Sequence, residues 1–206
     1  MSRFVVTGTG TEIGKTIFAA ALTGALRAHY WKPVQAGLAG ETDAQCVARL
    51  SGVAGAHILP EAYRLARPAS PHLAAEAEGI TIDVGALTPP PHDQLVIEGA
   101  GGVLVPLTRT VLSADLFARW QIPVILVATT ALGTISQSLT AIEALRARHV
   151  PLHGIAFVGE VHADNEAIIP ALSGVRRLGR LPIVDPLNAN SLATAFAAQF
   201  NIADFA

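Results

Sequence analysis

At 206 residues and a net charge of −2, the chain carries no basic field that would favour nucleic acid as a partner. Half of it is hydrophobic, yet no apolar run reaches the roughly 18 residues that a membrane-spanning helix needs. The single Cys46 excludes an intrachain disulfide and fits a reducing compartment.

The length suits one domain over 1–206, with no repeat, low-complexity tract or charged linker to divide it. Met1-Ser2-Arg3 leads straight into a strand without a signal-peptide pattern, so cytoplasmic residence is expected.

The first strand, Phe4 to Thr7, runs into Gly8-Thr9-Gly10-Thr11-Glu12-Ile13-Gly14-Lys15-Thr16, and a helical run from Ile17 to Ala28 follows. Strand, glycine loop, Lys-Thr and helix form the layout of a phosphate-binding loop. Amides of the loop and first helical turn have no intrahelical partner and can face an anion, with the helix dipole adding to the attraction. Lys15 would reach the β- and γ-phosphates, and the Thr16 hydroxyl would hold Mg²⁺. Thr9 stands where the usual pattern has its first Gly, and Gly8 lies one residue earlier.

A second strand is expected over Tyr30 to Val34, stunted by the short link from the first helix. It carries Lys32, which by itself reads as a long cation snorkelling at the sheet rim. Asp43 reads as a helix-start residue for Thr42 to Leu50. Within that helix Cys46 reads as a small hydrophobe, since no partner motif would make it a nucleophile. His72 follows Ser70-Pro71 and reads as part of another helix start. Pro89-Pro90-Pro91 is a stiff connection to a strand over Gln94 to Ile97. That strand runs into Glu98, then Gly99-Ala100-Gly101-Gly102. An acid there, in a chain with a phosphate loop, sits where a carboxylate is kept beside Mg²⁺.

Further strands are expected over Val124 to Val127, Ile155 to Val158 and Val175 to Leu178. Between them Thr134 to Arg148 is helical, with Ile135, Leu139, Ile142 and Leu145 on one face. A last helix is expected over Ser191 to Phe200. No His pair has metal-ligand spacing, and His149 and His153 read as a solvated loop. The alternation predicts a three-layer α/β fold of the P-loop NTPase-like kind, with a mostly parallel central sheet flanked by helices. Ligands of such sheets bind at the carboxyl ends of the strands.

Taken together, the chain resembles the dethiobiotin synthetase family over nearly its whole length. The matching pieces are the Thr7–Thr16 loop, Lys32-Pro33-Val34-Gln35, the Asp43 segment, Ser70-Pro71-His72, Glu98-Gly99-Ala100-Gly101-Gly102, and Pro123–Val127 followed by Leu132-Gly133-Thr134. The extra residue in the loop is a family trait. The resemblance implies closure of the ureido ring of dethiobiotin from 7,8-diaminononanoate, CO₂ (or bicarbonate) and ATP, with Mg²⁺. A carbamate attacks the γ-phosphorus to give a carbamic–phosphoric anhydride, and the second amine closes the ring.

It implies Lys15 and Lys32 as catalytic cations and Thr16, Asp43 and Glu98 around the metal. The nucleotide would lie along Glu12, Ile13, Gly14, Lys15, Thr16, Ile17, Asp43, Glu98, Gly99, Ala100 and Gly101, with Pro182, Ile183 and Val184 against the base. The substrate would meet Thr11, Lys32 and Ala36 and, in a homodimer, the helix start Gly133, Thr134 and Ile135 of a second copy; Thr134 also reads as an ordinary N-cap.

Two departures stand out. Ala36 lacks the hydroxyl that many members place there. Gly159-Glu160 replaces their Asn-Asp, so a looser choice of nucleotide is expected. The other reading is a partitioning or division-site ATPase switch. Those carry a second Lys early in the loop, where this chain has Thr9, Gly10 and Thr11, and their membrane-binding members end in a basic helix. Residues 193–206 contain neither Lys nor Arg.

Overall fold

The first apolar run forms β1 (Ser2–Gly8) in a computed structural model that describes residues 2–206. β1 lies inside a six-stranded sheet, between β5 (Gln94–Gly102) and β6 (Val124–Thr129). β2 (His29–Trp31) forms the edge beyond β5; β7 (Leu152–Val158) and β8 (Arg177–Leu181) extend the sheet beyond β6. Every pairing is parallel. Such strands are covered on both faces, so both sides of the pleat must be apolar. On β1, Phe4 and Val6 enter one core and Val5 the other.

The first core is closed by α1 (Lys15–Leu26), α2 (Asp43–Leu50) and α7 (Ala189–Gln199), through Phe18, Leu22, Val47, Leu192 and Phe196. The second is closed by α4 (Ser113–Trp120), α5 (Thr134–Arg146) and α6 (Ala163–Ser173), through Phe117, Ile142, Leu145 and Ile169. This is the three-layer α/β arrangement read from the sequence.

The strand expected over Tyr30 to Val34 is two strands. β2 ends at Trp31, and β3 (Val34–Ala36) pairs in parallel with β4 (Tyr63–Leu65) in a separate small sheet. Pro33 has no N–H to donate to a ladder, and its carbonyl accepts from the amides of Ala62 and Tyr63. Val34 then packs with Leu65, Ala74 and Leu87 in a third core, to which α3 (Pro71–Ala77) contributes. Lys32 sits at the break, just past the carboxyl end of β2.

Smaller corrections have local causes. The helix expected to start at Ser191 starts at Ala189, because the Asn188 side chain accepts from the amides of Asn190 and Ser191. The last strand begins at Arg177 rather than Val175, whose amide bonds the Ser173 hydroxyl as α6 ends. His153 is not in a solvated loop. It lies half-buried in β7, its ring 4.7 Å from that of Phe4 and Nε2 2.8 Å from the Asp204 carbonyl.

At the amino ends of the strands three histidines meet that lie far apart in sequence. His29 stacks on His57 and on His92, with centroids 4.5 and 3.7 Å apart and planes within 9° and 13°. Arg27 and Asp93 line the same cavity. Burial, then the neighbouring His92 and His57, lower the His29 pKa below its ordinary 6.5. A group whose pKa is depressed on folding binds more protons when unfolded, so stability falls as pH drops below 6.5. His29→Phe keeps a ring in the stack and removes its proton. Urea midpoints measured from about pH 7.5 to about pH 5 should fall less steeply in this variant than in the wild type, with His153, also lowered by burial, supplying part of the remaining slope. Equal slopes would contradict this reading of the stack.

Candidate active site at the carboxyl edge of the sheet

The loop after β1 folds down onto the strand ends, and two glycines permit it. A Cβ at Gly8 would stand 2.5 Å from Ile13 Cδ1, and one at Gly14 would stand 2.6 Å from Val158 Cγ1. Gly14 also has φ 88° as the N-cap of α1, with no side chain capping the first turn. Glu12 adopts φ 57°, a conformation rare outside glycine. Lys15 Nζ lies 2.6 Å from the Gly10 carbonyl, folded back over its own loop. Its pKa is lowered to about 8, chiefly by burial and also by the Lys32 charge, against the raising effect of Glu98 and Asp43.

Beside the loop a charged cluster closes. The β1–β5 register places Val6 opposite Glu98, and the β2–β5 register places Trp31 opposite Ile97, so Lys32 emerges next to Glu98. Lys32 Nζ is 2.5 Å from Asp43 Oδ2, 3.2 Å from Glu98 Oε1 and 3.1 Å from the Gly99 carbonyl. Thr16 Oγ1 is 2.8 Å from Glu98 Oε1 and 3.1 Å from Asp43 Oδ1. Lys32 is 3 % exposed and Glu98 1 %. Burial alone would lower the Lys32 pKa and raise that of Asp43, but pairing outweighs it. Glu98 and Asp43 leave Lys32 raised, and Lys32 with Thr16 leaves Asp43 lowered. Both groups are therefore charged at neutral pH.

Asp43 opens α2, whose N-cap is Thr42, in a capping box with Gln45. The Asp43 amide bonds Gln35 Oε1 at 3.2 Å, tying α2 to β3. A hydroxyl and two carboxylates are hard oxygen donors, the set that Mg²⁺ takes together with phosphate oxygens and water. Among the described residues no three His, Cys, Asp or Glu side chains gather at one point.

Next to the loop lies a cavity of about 590 Å³. Glu12, Ile13, Gly14 and Ile17 form one side; Pro182, Ile183 and Val184 form another. Gly159 also lines it, at φ 133°, and a Cβ there would meet Thr130 Oγ1 at 2.6 Å. No side chain at 159 reads a base, and the Gly159 carbonyl already accepts from Arg180 Nη1. Gly99 packs under Phe117, Ala100 is half-buried, and Gly101 turns at φ 62° close to Thr11.

The substrate set is not brought together within one chain. Thr11 is exposed on the loop and Ala36 half-buried at the end of β3. Gly133, Thr134 and Ile135 start α5, and none lines the cavity beside the loop. Thr134 is not the N-cap. Gly133 is, at φ 94°, because the Thr134 hydroxyl is spent on the Thr129 carbonyl at 2.6 Å. Leu132, just before it, is fully exposed. His72 Nδ1 lies 3.0 Å from Ser70 Oγ at the start of α3. Cys46 is half-buried, its thiol pushed up to about 11 by burial, so it is no thiolate nucleophile.

Sequence reasoning missed Tyr30, whose hydroxyl donates to Glu98 Oε2 at 2.8 Å, and Gln35. A buried polar side chain two residues before Lys32 was the available signal.

The chain is 62% identical over 205 residues to the ATP-dependent dethiobiotin synthetase BioD of Sphingopyxis alaskensis, with 100% of both chains covered. It belongs to the dethiobiotin synthetase family. The protein of that name from Novosphingobium aromaticivorans is 59% identical over 206 residues, again covering both chains fully. A family model described as an AAA domain matches residues 2–191. Among solved structures, the ParA family ATPase from Chlorobium tepidum TLS superposes with a TM-score of 0.51, covering 96% of this chain and 93% of that one. At 12% identity this likeness shows the fold alone. The switch-ATPase reading gains nothing from it beyond a shared fold.

The lowered Lys15 pKa sets a pH dependence. Phosphate charge favours the ammonium, so nucleotide binding takes up a proton wherever free Lys15 is neutral. ATP affinity should weaken as pH rises through about 8, and calorimetry in buffers of different ionisation enthalpy should show the uptake. In Lys15→Met both effects should vanish; a wild-type slope retained in that variant would assign the proton elsewhere.

Proposed function

We propose that this chain is an ATP-dependent dethiobiotin synthetase acting on 7,8-diaminononanoate, CO₂ (or bicarbonate) and ATP, as one synthetase domain over residues 1–206. The carrying observation is the buried contact of Lys32 with Asp43 and Glu98 beside the Lys15–Thr16 loop, in a chain related over its whole length to proteins of that name.

One amine of the substrate takes up CO₂ as a carbamate. A carbamate oxygen attacks the γ-phosphorus, the bond to the β,γ-bridging oxygen breaks, and ADP leaves. The second amine attacks the carbonyl carbon of the resulting anhydride, and phosphate departs as the ring closes.

The difficulty is electrostatic, since an anion must approach a polyanion. Preorganised donors and cations lower such barriers because they need not reorganise as charge moves. Lys15 binds the phosphates from the loop, and Lys32 faces the transferred group from the β2 end. Thr16, Asp43 and Glu98 would hold Mg²⁺, which supplies Lewis-acid offset of phosphate charge. Ile183 and its neighbours give the base an apolar cavity.

The active unit we propose is a homodimer. The α5 start, capped by a glycine and carrying no side-chain cap, suits the substrate carboxylate of a second copy. The fully exposed Leu132 beside it suits a contact. No helix among the described residues is long and apolar enough to cross a membrane; we place the reaction in the cytoplasm, with neither membrane nor nucleic acid as partner.

Incubation with the diamine, bicarbonate, ATP and Mg²⁺ should yield the cyclic urea, with phosphate released only when the diamine is present. Lys32→Ala should lose at least ~100-fold in turnover with an unchanged circular-dichroism spectrum, the scale of one lost transition-state contact. Phosphate release indifferent to the diamine, or near-normal turnover in Lys32→Ala, would defeat the proposal.

A further inference from the structure

Tyr30 is fully buried in β2, its ring in the core beneath α1 and its hydroxyl reaching the charged cluster. A buried hydroxyl needs a partner, and among the described residues this one has a single partner, Glu98 Oε2, at 2.8 Å. The other carboxylate oxygen, Oε1, takes the contacts from Thr16 and Lys32. The carboxylate is thus divided, one oxygen tied to the core and one turned to the loop. Strand alternation builds this arrangement. Tyr30 and Trp31 point into opposite cores, and the next step returns Lys32 to the Tyr30 side. One short segment thereby supplies both the group that pins Glu98 and the ammonium that pairs with it.

We propose that Tyr30 is a positioning residue: it holds Glu98 Oε2 so that Oε1 alone is offered to the metal–nucleotide complex. Without the phenol the carboxylate is free to rotate about its last bond. It can then turn both oxygens onto Lys32 or swing away from Thr16. Fixing a ligand's orientation from outside the coordination shell typically changes metal affinity by ~10-fold or more. The inference rests on the metal-assisted synthetase reading above, and its test separates the two.

Mn²⁺ is titrated into protein saturated with a non-hydrolysable ATP analogue, and free Mn²⁺ is followed by electron paramagnetic resonance. Wild type should bind one ion, and Tyr30→Phe should bind it ~10-fold more weakly. Analogue affinity in EDTA should not change, which a general loosening of the core would not allow. In a Glu98→Gln background the Tyr30→Phe step should have no further effect, because the group it acts through is gone. No Mn²⁺ binding by wild type would sink the metal reading itself. Binding by wild type with equal affinity in Tyr30→Phe, or an undiminished effect in the Glu98→Gln background, would overturn the role of Tyr30 alone.

Should Tyr30→Phe fail to fold, 3-fluorotyrosine labelling keeps the question open to test, since the chain has two tyrosines. The Tyr63 hydroxyl oxygen accepts from the Asp83 amide, away from the cluster. Mg²⁺ added to the nucleotide complex should shift the Tyr30 fluorine resonance and leave that of Tyr63 in place. An unmoved Tyr30 resonance would overturn the proposal.

Discussion

Four ionisable side chains meet at the carboxyl ends of β1, β2 and β5, three of them buried and Asp43 half-buried, and they constrain the rest of the molecule. Lys15, Lys32, Asp43 and Glu98 have formal charges that cancel, and none would be tolerable there alone. Each comes from a different element: the start of α1, the break after β2, the start of α2 and the end of β5. The chain must therefore bring four elements to one point before any of them can bury its charge. The glycines that lower the phosphate loop, the departure at Pro33 and the Gln35 tie to α2 all serve that convergence.

The same cluster explains why the site suits phosphoryl chemistry. Paired charges tolerate burial better than lone ones, and in the proposed reaction a metal and a polyanion would enter together and keep the balance. Lys32 keeps its position through Asp43 and Glu98, and Lys15 through the Gly10 carbonyl, so little reorganisation is left for the reaction. Lys15 is less firmly charged than Lys32, since burial dominates at one and pairing at the other.

Much of this was legible in the sequence where local pattern and long-range role coincide. Phe4 to Thr16 announces strand, loop and helix in one run, and Glu98 followed by glycines marks a strand end. Lys32 alone was ambiguous, and its neighbours in sequence could not say that Asp43 and Glu98 would close on it. The break at Lys32-Pro33 was hidden because Tyr30 to Val34 is uniformly apolar apart from that lysine, and only the pairing of β3 with β4 shows where the chain turns. Tyr30 looked like any core aromatic, since its hydroxyl's partner lies 68 residues away. The stack of His29, His57 and His92 was invisible for the same reason. His153 misled because a strand in the middle of the sheet begins earlier than its β-branched residues suggest.

The most direct measurement is a crystal structure of the protein with Mn²⁺, an ATP analogue and the diamine, with the ion located by its anomalous scattering. The account predicts the ion at about 2 Å from Thr16 Oγ1, with Asp43 and Glu98 in direct or water-bridged contact and both lysine ammonium groups on the terminal phosphate. An ion touching none of these three residues, or Lys32 turned away from the phosphate, would contradict it.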